Sequence, residues 1–112
     1  DVTIYHAMPH GLRSPLGEPI MPQAFVDTAP VHDLKREALA AHRSQLRFLA
    51  ETQRMPSYVA EMDQMSREVG AMSGVFVHAE GWRRHLYRGF CGEHDDPLAD
   101  VLGESYRAVT TP

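Results

Sequence analysis

The sequence has a single cysteine, Cys91, and this scarcity limits both its covalent and its metal chemistry. One thiol cannot form an internal disulfide, and it cannot build a zinc site of the usual multi-cysteine kind. A reducing compartment, the cytoplasm, is therefore predicted. Long apolar runs are also lacking, because no stretch approaches the ~18–20 residues that a transmembrane helix needs. The first residues do not resemble a signal peptide either, so we expect no membrane span.

Missing motifs and the net charge argue against several classes of function. The sequence contains no glycine-rich phosphate loop and no nucleophile elbow. A net charge of -4 argues against chain-wide attraction to nucleic acid. Residues 82–88 mix cations with aromatic side chains, a composition typical of nucleic-acid surfaces and of subunit interfaces alike. Because the chain is acidic, we favour packing or an oligomer contact there, and we expect a homo-oligomer that binds no nucleic acid.

The sequence contains enough apolar residues for one α/β domain, since 43% of its 112 residues are apolar. A β-prone run predicts a strand at residues 1–6, and proline and glycine predict a loop at residues 7–26. Asp27, Thr28 and Pro30 are typical of a helix start, and apolar spacing that begins at Leu34 extends this helix to residue 51. Its apolar stripe predicts burial. A second helix is predicted at residues 56–73, with Gly70 or Gly74 as its stop.

The last third of the sequence predicts less regular structure. Val75, Phe76 and Val77 indicate a second strand, within a strand and pocket or interface segment at residues 75–90. Residues 91–112 are predicted to be a tail, with one or two helical turns at residues 98–102 and an extended end. Two strands and two long helices are unbalanced, because isolated strands need a sheet to join. Since the chain also starts without Met, directly at a strand, we expect a fragment whose missing half completes the sheet.

Seven histidines include the main candidates for a functional site. His6 and His10 have the spacing of metal ligands on a helix, but Pro9 and the preceding strand exclude a helix there. His6 ends a strand, and ligands of open α/β sheets bind beyond strand ends, so it is a candidate for the edge of a pocket. His42 lies beside the apolar face of the first helix, where a structural role is favoured over a reactive one. Glu80 precedes a glycine and an aromatic residue, and its carboxylate either accepts backbone N–H groups or orients a neighbouring side chain.

Several short elements resemble a known family when they are read in order. The first helix carries a Lys-x-x-Ala-Leu pattern from Lys35 to Leu39, followed by a His-x-Ser-Gln pattern. A Glu-Gly-aromatic element comes later, at Glu80. The order of these elements, over residues 2 to about 90, resembles the second half of the LmbE/PIG-L family of zinc-dependent N-acyl-sugar deacetylases. The residues that carry the resemblance are Asp27, Lys35, Leu39, His42, Ser44, Gln45, Glu80, Gly81 and Trp82.

The resemblance implies the C-terminal portion of a Rossmann-like fold and the hydrolysis of the N-acetyl group of an N-acetylglucosamine-type glycoconjugate. The family holds zinc through an Ala-His-Pro-Asp-Asp element and a His-x-x-His element, and neither occurs here. Zinc ligands and catalytic residues are therefore expected outside this chain, which is expected to be inactive alone. The resemblance implies a pocket-wall role for His6, His10 and Glu80, and a structural role for His42, Ser44 and Gln45. The alternative is a non-catalytic binding or assembly module derived from the same fold.

Overall fold

The computed structural model describes residues 2–42, 47, 58–86, 88 and 90–109, which contain both strands and helices. The strands are β1 Tyr5–Ala7, β2 Ala24–Asp27, β3 Ala79–Arg84 and β4 Tyr106–Ala108. The α-helices are α1 His32–Ala40, α2 Tyr58–Ser73 and α3 Pro97–Leu102. Short 3-10 turns lie at His10–Leu12, Ala29–Val31 and Gly103–Ser105. None of these helices is both long enough and apolar enough to cross a membrane.

The four described strands form one antiparallel sheet in the order β1-β3-β2-β4. β3 lies between β1 and β2, so that Trp82 has Ala7 as its neighbour on one side and Ala24 on the other. β4 pairs with the outer side of β2, where Val26 is opposite Tyr106. The structure is therefore mixed α/β, as the sequence predicts, and its described sheet is antiparallel throughout.

Two strands lie where the sequence predicts other structure. β2 occupies the end of the predicted loop at residues 7–26 and continues into Asp27, the predicted helix start. β4 lies in the predicted extended end of the tail and pairs with β2. Both strands are short, and their stability comes from partners that are distant in sequence rather than from their own residues. Local patterns therefore could not find them.

The predicted strand at Val75, Phe76 and Val77 is instead a turn. Gly74 has a φ of 76° and ends α2, which confirms it as one of the two predicted helix stops. The Ser73 hydroxyl then accepts the backbone N–H groups of Val75 at 3.2 Å and Phe76 at 3.0 Å. Since these donors are used locally, they are not free for strand pairing, and β3 begins only at Ala79.

The first helix starts near its predicted position but presents a different face. Asp27 Oδ1 accepts the N–H of Ala29 at 3.0 Å, and α1 follows a 3-10 turn that contains Pro30. α1 ends at Ala40 rather than continuing to residue 51, and residues 43–46 and 48–51 of the predicted helix lie outside the described residues. Its predicted apolar stripe is wrong, because the Leu34 side chain is 64% exposed. Polar contacts made by His32 and Lys35 decide the orientation instead.

The second helix supplies one side of the core, as its methionine and valine spacing predicts. Met65 is half-buried, Val69 is buried, and only Met72 at the end of the predicted stripe is exposed. Val69 packs with Phe25 of β2 and Ala79 of β3. Leu12, from the 3-10 turn after β1, completes this core. The apolar contacts therefore hold α2 against the two central strands.

A carboxylate and two phenols attach the C-terminal segment to the sheet, and we call them the Asp96 network. Tyr5 on β1 and Tyr106 on β4 each donate a hydroxyl hydrogen to a different oxygen of Asp96, at 2.5 Å. Burial, and then the hydrogen bond to Asp96, raises the pKa of both tyrosines. Arg84 donates to the carbonyl oxygens of Glu93 and Asp95, which fixes the loop before α3. The predicted tail is thus part of the fold.

Candidate functional site

A groove of about 340 Å³ runs between α1 and α2. Its floor is apolar, and its rim carries polar side chains from two segments that are well separated in sequence. The floor includes Leu39, Met62 and Met65, and the rim includes His10, Lys35 and His42. An apolar pocket with a few polar groups at its edge is the usual form of a small-molecule site.

A second hollow of about 230 Å³ adjoins this groove and shares Lys35, Met62 and Met65 with it. It adds Glu80 and Trp82 of β3. Lys35 Nζ lies 3.0 Å from Glu80 Oε1, and the two side chains are 30% and 38% exposed. The ion pair therefore lies where the two hollows meet. We call the combined concavity the α1–α2 groove.

His10 reaches the groove because the turn that carries it is anchored in the core. The turn follows β1, and Gly11 adopts a φ of 76° within it. Leu12, at the end of the turn, is buried in the core. The His10 ring faces Tyr58 of α2 with 6.3 Å between ring centroids and 20° between ring planes. The imidazole is thus placed beside an aromatic ring at the rim.

The structure brings two of the three predicted pocket residues to this groove. His10 and Glu80 line it, whereas His6 lies elsewhere. His6 is opposite Arg83 in the sheet, and its Nε2 lies 2.6 Å from Nδ1 of His85, beside a separate hollow of about 530 Å³. His6 lies within β1, whereas His10 lies in the turn that follows, and this difference separates the two side chains.

One of the three residues expected to have a structural role, His42, lies at the groove instead. His42 is exposed and lines the groove, and its backbone N–H donates to the carbonyl oxygen of Leu39 at 3.1 Å. Ser44 and Gln45 lie outside the described residues. The imidazole of His42 is thus available to a ligand of the groove.

Lys35 is part of a sequence motif but was not predicted to be a site residue, and neither was Tyr58. The signal for Lys35 is its spacing, because Lys35 and Leu39 follow at i and i+4 and so share one face of α1, and His42 lies just beyond the end of this helix. No sequence signal places Glu80 beside Lys35, because that contact depends on how α1 packs against β3.

Within the described part of the chain, no group of three or more His, Cys, Asp or Glu side chains is arranged to hold a metal ion. His32, His78 and Asp63 are in contact, but the two imidazole rings are stacked 3.7 Å apart at 11°. A metal ion bound to an imidazole lies near the plane of that ring, so two parallel stacked rings cannot share one ion. The donor set described here does not fit zinc.

The geometry of the groove suits a ligand that has both an apolar side and polar groups. The floor would pack against the apolar side, while the Glu80 carboxylate accepts hydrogen bonds and Lys35 donates them. His10 and His42 each offer an imidazole that donates from one nitrogen and accepts at the other. Comparison of the chain with protein-family models, curated proteins and solved structures gives no match.

Proposed function

We propose that this chain is the C-terminal part of a zinc-dependent N-acyl-sugar deacetylase similar to the LmbE/PIG-L family, and that it forms one wall of the sugar pocket. The supporting observation is spatial. Lys35 and Leu39 come from one motif element, His42 from the next and Glu80 from a third, and they line the same groove. The Lys35–Glu80 ion pair connects the first and third of these elements directly. Residues that carry only a weak resemblance in sequence thus meet at one candidate site.

The sheet and the first helix support the idea that a further part of the domain packs here. Among the described strands, β1 lies at one edge of the sheet, with β3 on one side only. The described sheet is antiparallel throughout, so in this proposal the parallel strands of a Rossmann-like sheet lie in the missing half. The exposed Leu34 side of α1 offers apolar surface to the same missing half. In this proposal the missing half extends the sheet from β1.

In the proposed pocket each rim residue has a binding role. Glu80 accepts hydrogen bonds from sugar hydroxyl groups, and Lys35 holds its carboxylate in place. His10 and His42 hydrogen-bond to the sugar or to the acetamido group. Leu39, Met62 and Met65 pack against the apolar face of the ring. None of these residues is assigned a step in bond cleavage.

The described residues do not fit zinc, so no catalytic step is assigned through a metal here. In the proposal the rest of the protein holds the ion, which would supply an activated water and polarise the acyl carbonyl. The isolated chain is accordingly proposed to be inactive. The groove would act on the rate only by holding the substrate in position.

A binding or assembly module is the second candidate, in which the exposed Leu34 would contact a partner rather than the rest of the same domain. Such a module would bind the same class of sugar, or a protein partner, without hydrolysing an amide.

The test measures acetate release from methyl N-acetylglucosaminide, together with zinc content, in the complete protein that contains this chain. We expect stoichiometric zinc and acetate release. A Glu80→Gln variant should lower kcat/KM about tenfold, mainly through KM, because it weakens ground-state and transition-state binding alike. Glu93→Gln, in an exposed loop, is the matched control and should change neither constant. A complete protein that has neither zinc nor acetate release contradicts the enzyme proposal and leaves the binding module.

A further inference from the structure

Two histidines from distant parts of the chain stack face to face beside the groove. His32 is the first residue of α1, and His78 immediately precedes β3. Their ring centroids are 3.7 Å apart and their planes differ by 11°. Face-to-face contact favours uncharged rings, because two protonated imidazoles at this distance would repel each other.

Asp63 of α2 holds the His32 ring. His32 Nε2 lies 2.7 Å from Asp63 Oδ1, and the two side chains are only 13% and 15% exposed. The other oxygen of Asp63 lies 3.5 Å from Arg36 Nε. His32 Nδ1 is buried and has no hydrogen-bond partner among the described residues. The hydrogen of the neutral ring therefore lies on Nε2, and a second hydrogen on Nδ1 would be a buried donor with no acceptor.

Ser66 of α2 holds the His78 ring in a matching way. The Ser66 hydroxyl donates its one hydrogen to the carbonyl oxygen of Asp63 at 3.1 Å. The same oxygen lies 2.6 Å from His78 Nδ1, which must then be the donor of this second hydrogen bond. His78 thus has its hydrogen on Nδ1. Each ring of the stack is fixed in one neutral tautomer by a neighbour on α2.

The charges around the stack oppose a further proton. Burial lowers the pKa of His78 the most, and the charge that His32 would carry if protonated, together with the charges of Arg67 and Lys35, lowers it further. Asp63 raises the pKa of His78, but its carboxylate also contacts His32 and Arg36. From β2, Asp27 directs its carboxylate to the N–H of Ala29.

We propose that the His32–His78 stack is a pH-sensitive clasp, which positions α1 against the start of β3 and releases it when the pair takes up a proton. Lys35 follows His32 by one helical turn, and Glu80 follows His78 by two residues along the strand. The stack and the Lys35–Glu80 ion pair are therefore successive connections between the same two segments. His32 and His78 act as positioning residues for the groove. This inference requires no assumption about the ligand that the groove binds.

The direction of the pH effect follows from the lowered pKa of His78. Its ordinary value is near 6.5, and the folded value lies below this. Between these two pH values, His78 is therefore protonated to a greater extent in the unfolded chain than in the folded protein. The clasp contributes its full stability above about pH 6.5 and loses it as the pH falls toward the folded pKa. One such group changes the unfolding equilibrium constant by up to about tenfold per pH unit in that window.

Imidazole nitrogen NMR and hydrogen exchange on the complete protein test the clasp. We expect His78 to show the Nδ1–H tautomer, His32 to show the Nε2–H tautomer, and the backbone amides of α1 to lose protection selectively between pH 7.5 and pH 5.5. Asparagine can place its Nδ2–H where Nδ1–H of histidine lies, so His78→Asn should fold and remove this pH dependence. His32→Gln, which can retain a donor to Asp63, serves as a second variant.

His94→Asn at an exposed loop position is the matched control and should keep the pH dependence of the wild type. The proposal is overturned if His78 titrates at or above 6.5, or if α1 protection in the wild type is the same at both pH values. A pH dependence that persists in both clasp variants would also refute it, because neither variant retains the stacked pair.

Discussion

Two polar networks hold this structure together, and they differ in the groups they use. The clasp joins α1, α2 and β3 through two stacked imidazoles, and burial lowers the pKa of one of them, His78. The Asp96 network joins β1, β4 and α3 through two phenols that donate to one carboxylate. Burial raises the pKa of Tyr5 and Tyr106, so these phenols stay protonated even further above neutral pH than usual.

The two networks therefore differ in their response to moderate acid, and the sensitive network, the clasp, lies on one side of the molecule. A tyrosine whose folded pKa is raised contributes stability in full below about pH 10, the unfolded value, and loses it only as the pH rises through the folded value. The phenols therefore do not titrate between pH 5 and pH 8, while the clasp responds within that range. The groove lies beside the clasp, so acid should affect the groove before it affects the C-terminal segment.

The largest expected effect comes from Gly70→Ala, which disturbs the segment that carries His78. A Cβ at Gly70 would lie 2.7 Å from the carbonyl oxygen of Phe76 and would also contact that of Val77. Because both contacts are to backbone, relief requires the turn before His78 to move. We expect a loss of about 3 kcal/mol in the free energy of unfolding, measured by denaturant titration. Ala71→Ser, at the next and exposed position of α2, should change stability little; an equal loss there would contradict the steric explanation.

Asp96→Asn should have the next largest effect and act on the other network. The amide offers one oxygen acceptor and one NH2 donor group in place of two acceptor oxygens, so Tyr5 or Tyr106 loses its acceptor. We expect a loss of about 2 kcal/mol in the free energy of unfolding, with the pH dependence of α1 protection unchanged. Asp100→Asn on the exposed side of α3 is the control. If Asp96→Asn also altered the response of α1 to acid, the two networks would not be independent.

Ser66→Ala tests the clasp without removing either imidazole. The substitution deprives His78 Nδ1 of its acceptor and the carbonyl oxygen of Asp63 of a donor. We expect a loss of about 1.5 kcal/mol in the free energy of unfolding and a mixture of His78 tautomers by NMR. Gln64→Ala, at an exposed position of the same helix, is the comparison. A single unchanged tautomer in Ser66→Ala would show that Ser66 does not select it.

Lys35→Met should have the smallest effect on stability, because both members of the Lys35–Glu80 ion pair are partly exposed. We expect less than about 1 kcal/mol by thermal unfolding. The affinity for methyl N-acetylglucosaminide should fall about tenfold by calorimetry, since Glu80 loses the cation that holds it. Arg107→Met on β4 removes a positive charge away from the groove and should leave the affinity unchanged. Equal losses in both variants would indicate a general charge effect.

Elements with strong local patterns could be predicted, and elements that depend on distant partners could not. Methionine and valine spacing predicted α2, and Gly74, one of the two glycines predicted as its stop, ends it. β2 was missed because its four residues follow a proline-rich loop and gain stability only from β3 and β4. The apolar spacing of α1 was misleading, since His32 and Lys35 make the contacts that orient this helix.

The candidate site shows the same limit. His10 and Glu80, two of the three residues to which the resemblance gives a pocket-wall role, line the groove, whereas His6, singled out because it ends a strand, does not. The stacking of His32 on His78 had no local signal, because helical or strand periodicity relates only residues within one element. Such a contact exists only after α1, α2 and β3 have packed.

The Asp96 carboxylate has a kinetic consequence as well. Its hydrogen bond with Tyr5 joins residues 91 positions apart, so it closes a loop of nearly the whole chain. Closing a flexible loop of that length costs about 4 kcal/mol in chain entropy, so this contact cannot form early in folding. It should form only after the sheet has brought the two residues together. Its loss would then accelerate unfolding while leaving the folding rate nearly unchanged, so the carboxylate determines how long the native state persists.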